Sequence, residues 1–121
     1  MIEPSEIRYD KAAKTLFVTF DDGKSFALPA ELLRTQSPSA EVQGHTPEER
    51  KLVFGRRHVG IIGIEPVGHY AVRLIFDDLH DSGLFTWDYL YHLGENQVAI
   101  WQAYLGELAD AGLSRDPPGR A

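Results

Sequence analysis

A chain of 121 residues and 13.6 kDa has room for one domain around one hydrophobic core, which excludes a two-domain enzyme. Hydrophobic residues at 43% and aromatic ones at 11% supply that core without a metal or a disulfide, and the absence of cysteine excludes a disulfide framework, a thiolate nucleophile and any zinc or iron–sulfur centre held by this chain's thiolates. Twelve Lys and Arg against eighteen Asp and Glu give a formal charge of -6, which repels phosphate backbones and argues against nucleic acid as a partner.

Met1 to Glu6 lacks the basic start and apolar run of a signal peptide, and no apolar stretch reaches bilayer length, so the expectation is a soluble cytoplasmic protein with no membrane partner. Ser5 to Tyr9 and Thr15 to Phe20 are β-rich runs, the second with Leu16, Val18 and Phe20 on one face. Asp21-Asp22-Gly23 supplies turn chemistry before Ser25 to Leu28, which predicts a β-hairpin; Pro29 to Arg34 predicts one or two helical turns. From Thr35 to about Glu49, Ser37-Pro38-Ser39, Gly44 and Thr46-Pro47 predict a long irregular loop, a natural place for a binding role. Lys51 to Phe54 and Val59 to Ile64 read as strands around the basic turn Gly55-Arg56-Arg57-His58, and Pro66 with Gly68 reads as a break. Tyr70 to Phe76 is the clearest strand and runs into the acidic turn Asp77 to Gly83.

Two halves echo each other. Phe20-Asp21-Asp22-Gly23, Phe26 and the Pro29 turn resemble Phe76-Asp77-Asp78, Gly83, Phe85 and a helix that starts near Thr86, although two occurrences do not make a repeat protein. Thr86 is the expected N-cap and Gly94 the expected terminator of that helix. A second helix begins at Glu95 or Asn96, carries Ile100, Trp101, Tyr104, Leu105, Leu108 and Ala109 as an apolar stripe over one face of the sheet, and ends at Gly112. Strands first and helices last predict an α+β fold, a small antiparallel-rich sheet of hairpins packed against C-terminal helices; the domain covers residues 1–113 and a flexible tail covers 114–121.

Three groups of residues could carry chemistry. Asp77, Asp78, His80 and Asp81 offer either a turn whose carboxylates cap backbone N–H groups with His80 packed on the sheet, or a weak divalent-metal or acid–base site; the other histidines, His45, His58, His69 and His92, lie on separate segments. Arg50, Lys51, Arg56 and Arg57 form a basic cluster suited to an anionic ligand or an acidic partner, or else a solvated hairpin end. Ser37 or Ser39 with His45 could in principle pair hydroxyl and imidazole, but no nucleophile elbow is present, and no catalytic constellation is identified.

Leu32 to His45, Ile64-Glu65-Pro66-Val67-Gly68 and Phe76 to Gly83, with Trp87-Asp88-Tyr89-Leu90, together resemble the gamma-butyrobetaine hydroxylase-like N-terminal domain family, a domain of unknown function, over nearly the whole chain from about Ile7. In carnitine-pathway dioxygenases this domain precedes the catalytic double-stranded β-helix and holds a structural zinc through three cysteines and a histidine. Carried over by position, the cysteines fall at Ser37, Ser39 and Val42 and the histidine at His80, so three of the four ligands are replaced and high-affinity zinc is not expected. The family also occurs beside P-loop ATPases that carry iron–sulfur clusters and as small standalone bacterial proteins.

The resemblance thus implies a non-catalytic accessory or protein-interaction module of unknown partner, linked to iron–sulfur or other metal-cofactor assembly. The alternatives are weak zinc or iron binding by His80 with its acidic neighbours, or a detached accessory domain of a 2-oxoglutarate oxygenase. No cofactor is expected, and the oligomeric state is left open. The candidate partner-binding residues are Ser37, Ser39, His45, Arg56 and Arg57.

Overall fold

The computed structural model describes residues 2–118. β1 (Pro4–Asp10), β2 (Thr15–Phe20) and β3 (Ser25–Pro29) form an antiparallel sheet in that order, followed by α1 (Ala30–Thr35). α2 (Ala40–Gln43) and a 3-10 turn at Pro47–Glu49 lead to a second sheet of β4 (Ile61–Val67), β5 (Ala71–Phe76) and β6 (Leu84–Thr86), then α3 (Trp87–Glu95) and α4 (Gln97–Ala111). The fold is α+β, two small antiparallel sheets with helices packed on them.

The core forms between the sheets because alternation aims both central strands at it. Leu16, Val18 and Phe20 of β2 meet Val72, Leu74 and Phe76 of β5, with Leu28, Leu33, Phe85 and Leu90 closing the cluster, all essentially inaccessible. Phe20, Phe26 and Tyr91 interlock edge to face, with centroids 5.1–5.9 Å apart.

The echo between the halves extends to register. Each sheet carries an irregularity at the same place on its first strand, between Pro4 and Glu6 and between Ile61 and Gly63. In each, the residue before the third strand's last member is fully buried, Leu28 in one and Phe85 in the other. Phe85 therefore corresponds in register to Leu28 and not to Phe26.

Other expectations are corrected. Gly94 does not end α3 but lies inside it, because a Cβ there would stand 2.3 Å from the Phe26 ring; the helix needs glycine to pass that ring and is capped at Asn96. Lys51–Phe54 is not a strand, having no ladder partner: Lys51 N–H bonds Val42 O at 2.7 Å, and the Val53 carbonyl is taken by the Tyr104 hydroxyl at 2.7 Å. Pro66 does not break β4, which is an edge strand and can do without one donor. The expected 35–49 loop contains α2, capped by Ser39, and the 3-10 turn. Residues 114–118 of the expected tail are tied down: Gly55 N–H and Arg57 N–H bond the carbonyls of Ser114 and Arg115, and the Arg115 guanidinium grips the buried Glu31 carboxylate at 2.6 and 2.9 Å. The rest of the expected tail, residues 119–121, lies outside the described residues.

Candidate functional site

The second hairpin turn is built from its own backbone. Leu79 N–H bonds Phe76 O, Phe76 N–H bonds His80 O, and His80 N–H reaches back to Asp78 Oδ1 at 3.2 Å, so that Leu79 takes a φ of 72°. The turn returns His80 toward the segment after α1, where Gln36 and Ser37 leave the helix and Ser39 starts α2 by accepting from Glu41 N–H. The two segments meet in a polar cluster in which Ser37, Ser39 and His80 are buried and Glu41 and Ser82 are exposed. His80 Nε2 lies 2.9 Å from Ser37 Oγ and its Nδ1 lies 3.1 Å from Glu41 Oε2. Because a carboxylate only accepts, Nδ1 carries a proton toward Glu41, and in the neutral ring Nε2 accepts from the Ser37 hydroxyl. Ser37 Oγ in turn accepts from Ser39 N–H, and the hydroxyls of Ser39 and Ser82 pair at 2.6 Å.

Gly83 is required at this junction, since a Cβ would fall 2.5 Å from Ser37 Oγ. Burial first and the nearby Arg34 charge second hold the His80 imidazole below its ordinary pKa, against the pull of Glu41. The lowered pKa favours the neutral ring, in which Nε2 accepts from the Ser37 hydroxyl.

Beside this cluster, Asp78 Oδ2 accepts from Arg34 Nε at 2.8 Å and from Arg56 Nε at 2.7 Å. Burial opposes the Asp78 charge, but the two guanidiniums prevail and lower its pKa. The other carboxylates of the turn are also engaged: Asp77 accepts from Gly60 N–H, and Asp81 pairs with Arg73. The basic cluster is dispersed, Arg50 to Glu107, Arg57 to Asp116 and Arg56 to Asp78, while Lys51 makes no ion pair among the described residues. Arg34, Lys51, Arg56 and His80 line a cleft of about 600 Å³ whose other wall includes Val42, Val53 and Phe54.

The structure brings Ser37, Ser39, Val42 and His80 together: all four are buried, and Val42 and His80 face one cleft. His45 is apart and exposed, its N–H on Glu49, and Arg57 is exposed on the far side of the basic turn. Ser37 and Ser39 offer no surface to a partner in this arrangement, whereas His45, Arg56 and Arg57 do.

Glu41, Arg34 and Ser82 are the residues sequence reasoning missed, because their partners lie about forty positions away in the chain. Ser37, His80 and Glu41 form a hydroxyl–imidazole–carboxylate series, but Ser37 is wholly inaccessible and backed by Gly83, leaving no space for a substrate carbonyl at its oxygen. The donor set does not suit the family zinc: one imidazole with both nitrogens engaged, two hydroxyls and a valine are not a tetrahedral thiolate site. Among the described residues no group of three or more His, Asp or Glu is placed to hold a metal ion.

Fold and cluster together define a small α+β domain whose second hairpin turn is pinned to the segment joining α1 and α2. The family model described as Gamma-butyrobetaine hydroxylase-like, N-terminal, matches residues 7–91, and the chain belongs to that family. A protein solved in solution by NMR superposes with a TM-score of 0.84 at 53% identity, covering 100% of this chain and 95% of its own. A second NMR structure gives 0.83 at 44% identity, covering 97% and 87%. A crystal structure from Acidithiobacillus ferrooxidans ATCC 23270, of a protein with unknown function in the DUF971 family, gives 0.65 at 38% identity, covering 76% and 92%. No curated protein matches the chain. Among the described residues no helix is long and apolar enough to cross a membrane.

Proposed function

We propose that this chain is a non-catalytic accessory module that docks on a protein partner through the tip of its second hairpin. The observation that carries this is Leu79, which is 85% exposed and holds a φ of 72°, a backbone state that leucine adopts only at a cost. The equivalent position of the first hairpin is Gly23, which takes positive φ freely. A strained leucine presented to solvent on a turn pinned by His80 and Asp78 is a feature retained against stability, and contact with a partner accounts for it. Arg56, beside the tip, supplies a polar rim to this surface, and the exposed Arg57 adds positive charge on the adjoining turn, which suits a partner with acidic groups.

The buried cluster supports a structural role for the family's zinc position in this chain: hydroxyl and carboxylate partners hold His80 where a metal would otherwise join the two segments. Metal binding by His80 with Asp77, Asp78 or Asp81 has less support, since each of those side chains already has a partner within the protein. The family's occurrence beside cluster-carrying ATPases supports, in our reading, a partner in metal-cofactor assembly.

The test is crosslinking capture from the source cell with wild type, Leu79→Asp and the double variant Arg56→Glu/Arg57→Glu. A protein enriched by wild type and lost with Leu79→Asp is expected. Identical enrichment by all three folded proteins would overturn the proposal.

A further inference from the structure

The cleft beside the pin combines a cationic end with an apolar wall, and Arg34, in its lining, carries a buried donor that has no acceptor. Arg34 is 8% exposed and spends its Nε on Asp78, yet its Nη1 is buried without a hydrogen-bond partner among the described residues. A buried guanidinium N–H left unpaired is costly, and native structures retain few such groups unless something outside the chain completes them. The surrounding charge points the same way. Arg34, Arg56 and Lys51 face the cleft, Arg34 and Arg56 share one oxygen of one carboxylate, and Glu41, the acidic residue of the lining, is hydrogen-bonded to His80. Cations therefore outnumber carboxylates here in a chain whose net charge is -6.

We propose that this cleft binds a small organic anion, its oxyanion head on Arg34 and Arg56 and its apolar body along Val53 and Phe54. The volume of about 600 Å³ falls in the range of small-molecule sites and exceeds what a bare inorganic ion fills. Guanidinium forks recognise carboxylate and phosphate alike by paired N–H donors, so the shared chemistry is that of an oxyanion attached to an apolar group. The wall opposite is fixed, because the Tyr104 hydroxyl donates to the Val53 carbonyl at 2.7 Å. Lys51 at the rim is exposed and adds attraction at longer range. This inference stands apart from docking at Leu79: Leu79→Asp is expected to leave anion binding unchanged.

The experiment is a titration of isotopically labelled protein, followed by NMR, with phenyl phosphate, with phenylacetate, and with sodium chloride at matched ionic strength. Saturable shifts at the Arg34 and Arg56 side-chain N–H groups and the Leu52, Val53 and Phe54 amides are expected with one or both aryl anions. Saturation by the phosphate alone assigns the head as phosphate, and by the phenylacetate alone as carboxylate. Arg56→Gln should weaken binding about tenfold, and Arg34→Lys, which keeps the charge and removes the fork, by a similar factor. Should Arg34→Lys fail to fold, Lys51→Glu, on the exposed rim, should still weaken binding several-fold. Non-saturating shifts equal to those produced by chloride, or unchanged affinity in folded Arg56→Gln, would overturn the proposal.

Discussion

The first half of the molecule, β1 to α1, and the second, β4 to α3, run the same course: a three-stranded meander closed by a five-residue turn, then a helix. In the first turn Gly23 N–H bonds Phe20 O, Phe20 N–H bonds Lys24 O, and Lys24 N–H bonds Asp22 Oδ1; in the second the same bonds join Leu79, Phe76, His80 and Asp78. Each half then grips the other. Tyr91 of α3 donates to Asp22 Oδ2 at 2.7 Å and Arg34 of α1 donates to Asp78 Oδ2 at 2.8 Å, from equivalent positions on the two helices.

The halves differ in the chain that leaves the turn. In the first, the third strand pairs from Ser25 to Pro29; in the second, pairing is confined to Leu84–Thr86, and residues 80–83 are free to turn toward Ser37 and Ser39. One extra residue between turn and helix cap makes that departure feasible, since the strand must still deliver Phe85 to the core where Leu28 sits. A duplicated frame thus carries its distinctive chemistry where one copy leaves the ladder.

If the halves contribute equally to one core, truncating the matched buried residues should cost similar amounts. Phe85→Ala should destabilise by about 4 kcal/mol and Leu28→Ala by about 3 kcal/mol, read from denaturant midpoints at unchanged slope. A much smaller loss for either would mean that the two sheets do not unfold as one unit. At the turn positions the comparison becomes unequal. His80→Ala strands the Ser37 hydroxyl and should cost about 2 kcal/mol, whereas Lys24→Ala, on an exposed side chain paired with Glu95, should leave the melting temperature nearly unchanged. Equal effects would show that the pin adds nothing to the second half. The reciprocal exchange at the tips is smaller and opposite in sign: Leu79→Gly should stabilise by about 1 kcal/mol and Gly23→Ala, at φ 90° with open space around the added Cβ, should destabilise by about as much.

The halves were legible in the sequence where alternation and turn chemistry act locally. Leu16, Val18 and Phe20 show the first core strand, Asp21-Asp22-Gly23 its hairpin, and Thr86 and Gly112 the ends of the helical region. Short or nonlocal features were not legible. β6 has three residues, and Lys51–Phe54 has strand-like composition but no neighbour to pair with. Gly94 looked like a helix stop because its use, passing the Phe26 ring, depends on a contact 68 positions away along the chain. The site was half legible: resemblance to the family aligned Ser37, Ser39, Val42 and His80, but the partners of His80 and Ser39 there, Glu41 and Ser82, follow only from the fold. Spacing pointed to four basic residues between Arg50 and Arg57 as one cluster, and the structure sends three of them, Arg50, Arg56 and Arg57, to separate carboxylates.

The smallest expected effect separates the halves by pH. His80 is held below its ordinary value of 6.5 by burial and by Arg34, whereas Lys24, at the equivalent turn position, has its pKa raised by its bond to Glu95 and stays charged throughout the acidic range. As pH falls below about 6.5, the unfolded chain takes up a proton at residue 80 before the folded one does, so stability declines through that window and levels off once the folded imidazole titrates. Protonation also places a hydrogen on Nε2, which can then no longer accept from Ser37, so the hydroxyl must turn to accept instead. Asp78 adds a separate loss at lower pH, below the ordinary 3.8 of its carboxyl, where its bonds to Arg34 and Arg56 are broken by protonation. Thermal melts from pH 7.5 to 5 should therefore show a decline in wild type that His80→Gln flattens and Lys24→Gln leaves in place. An unchanged slope in His80→Gln would assign the acid sensitivity elsewhere and remove His80 as the titrating element of the second half.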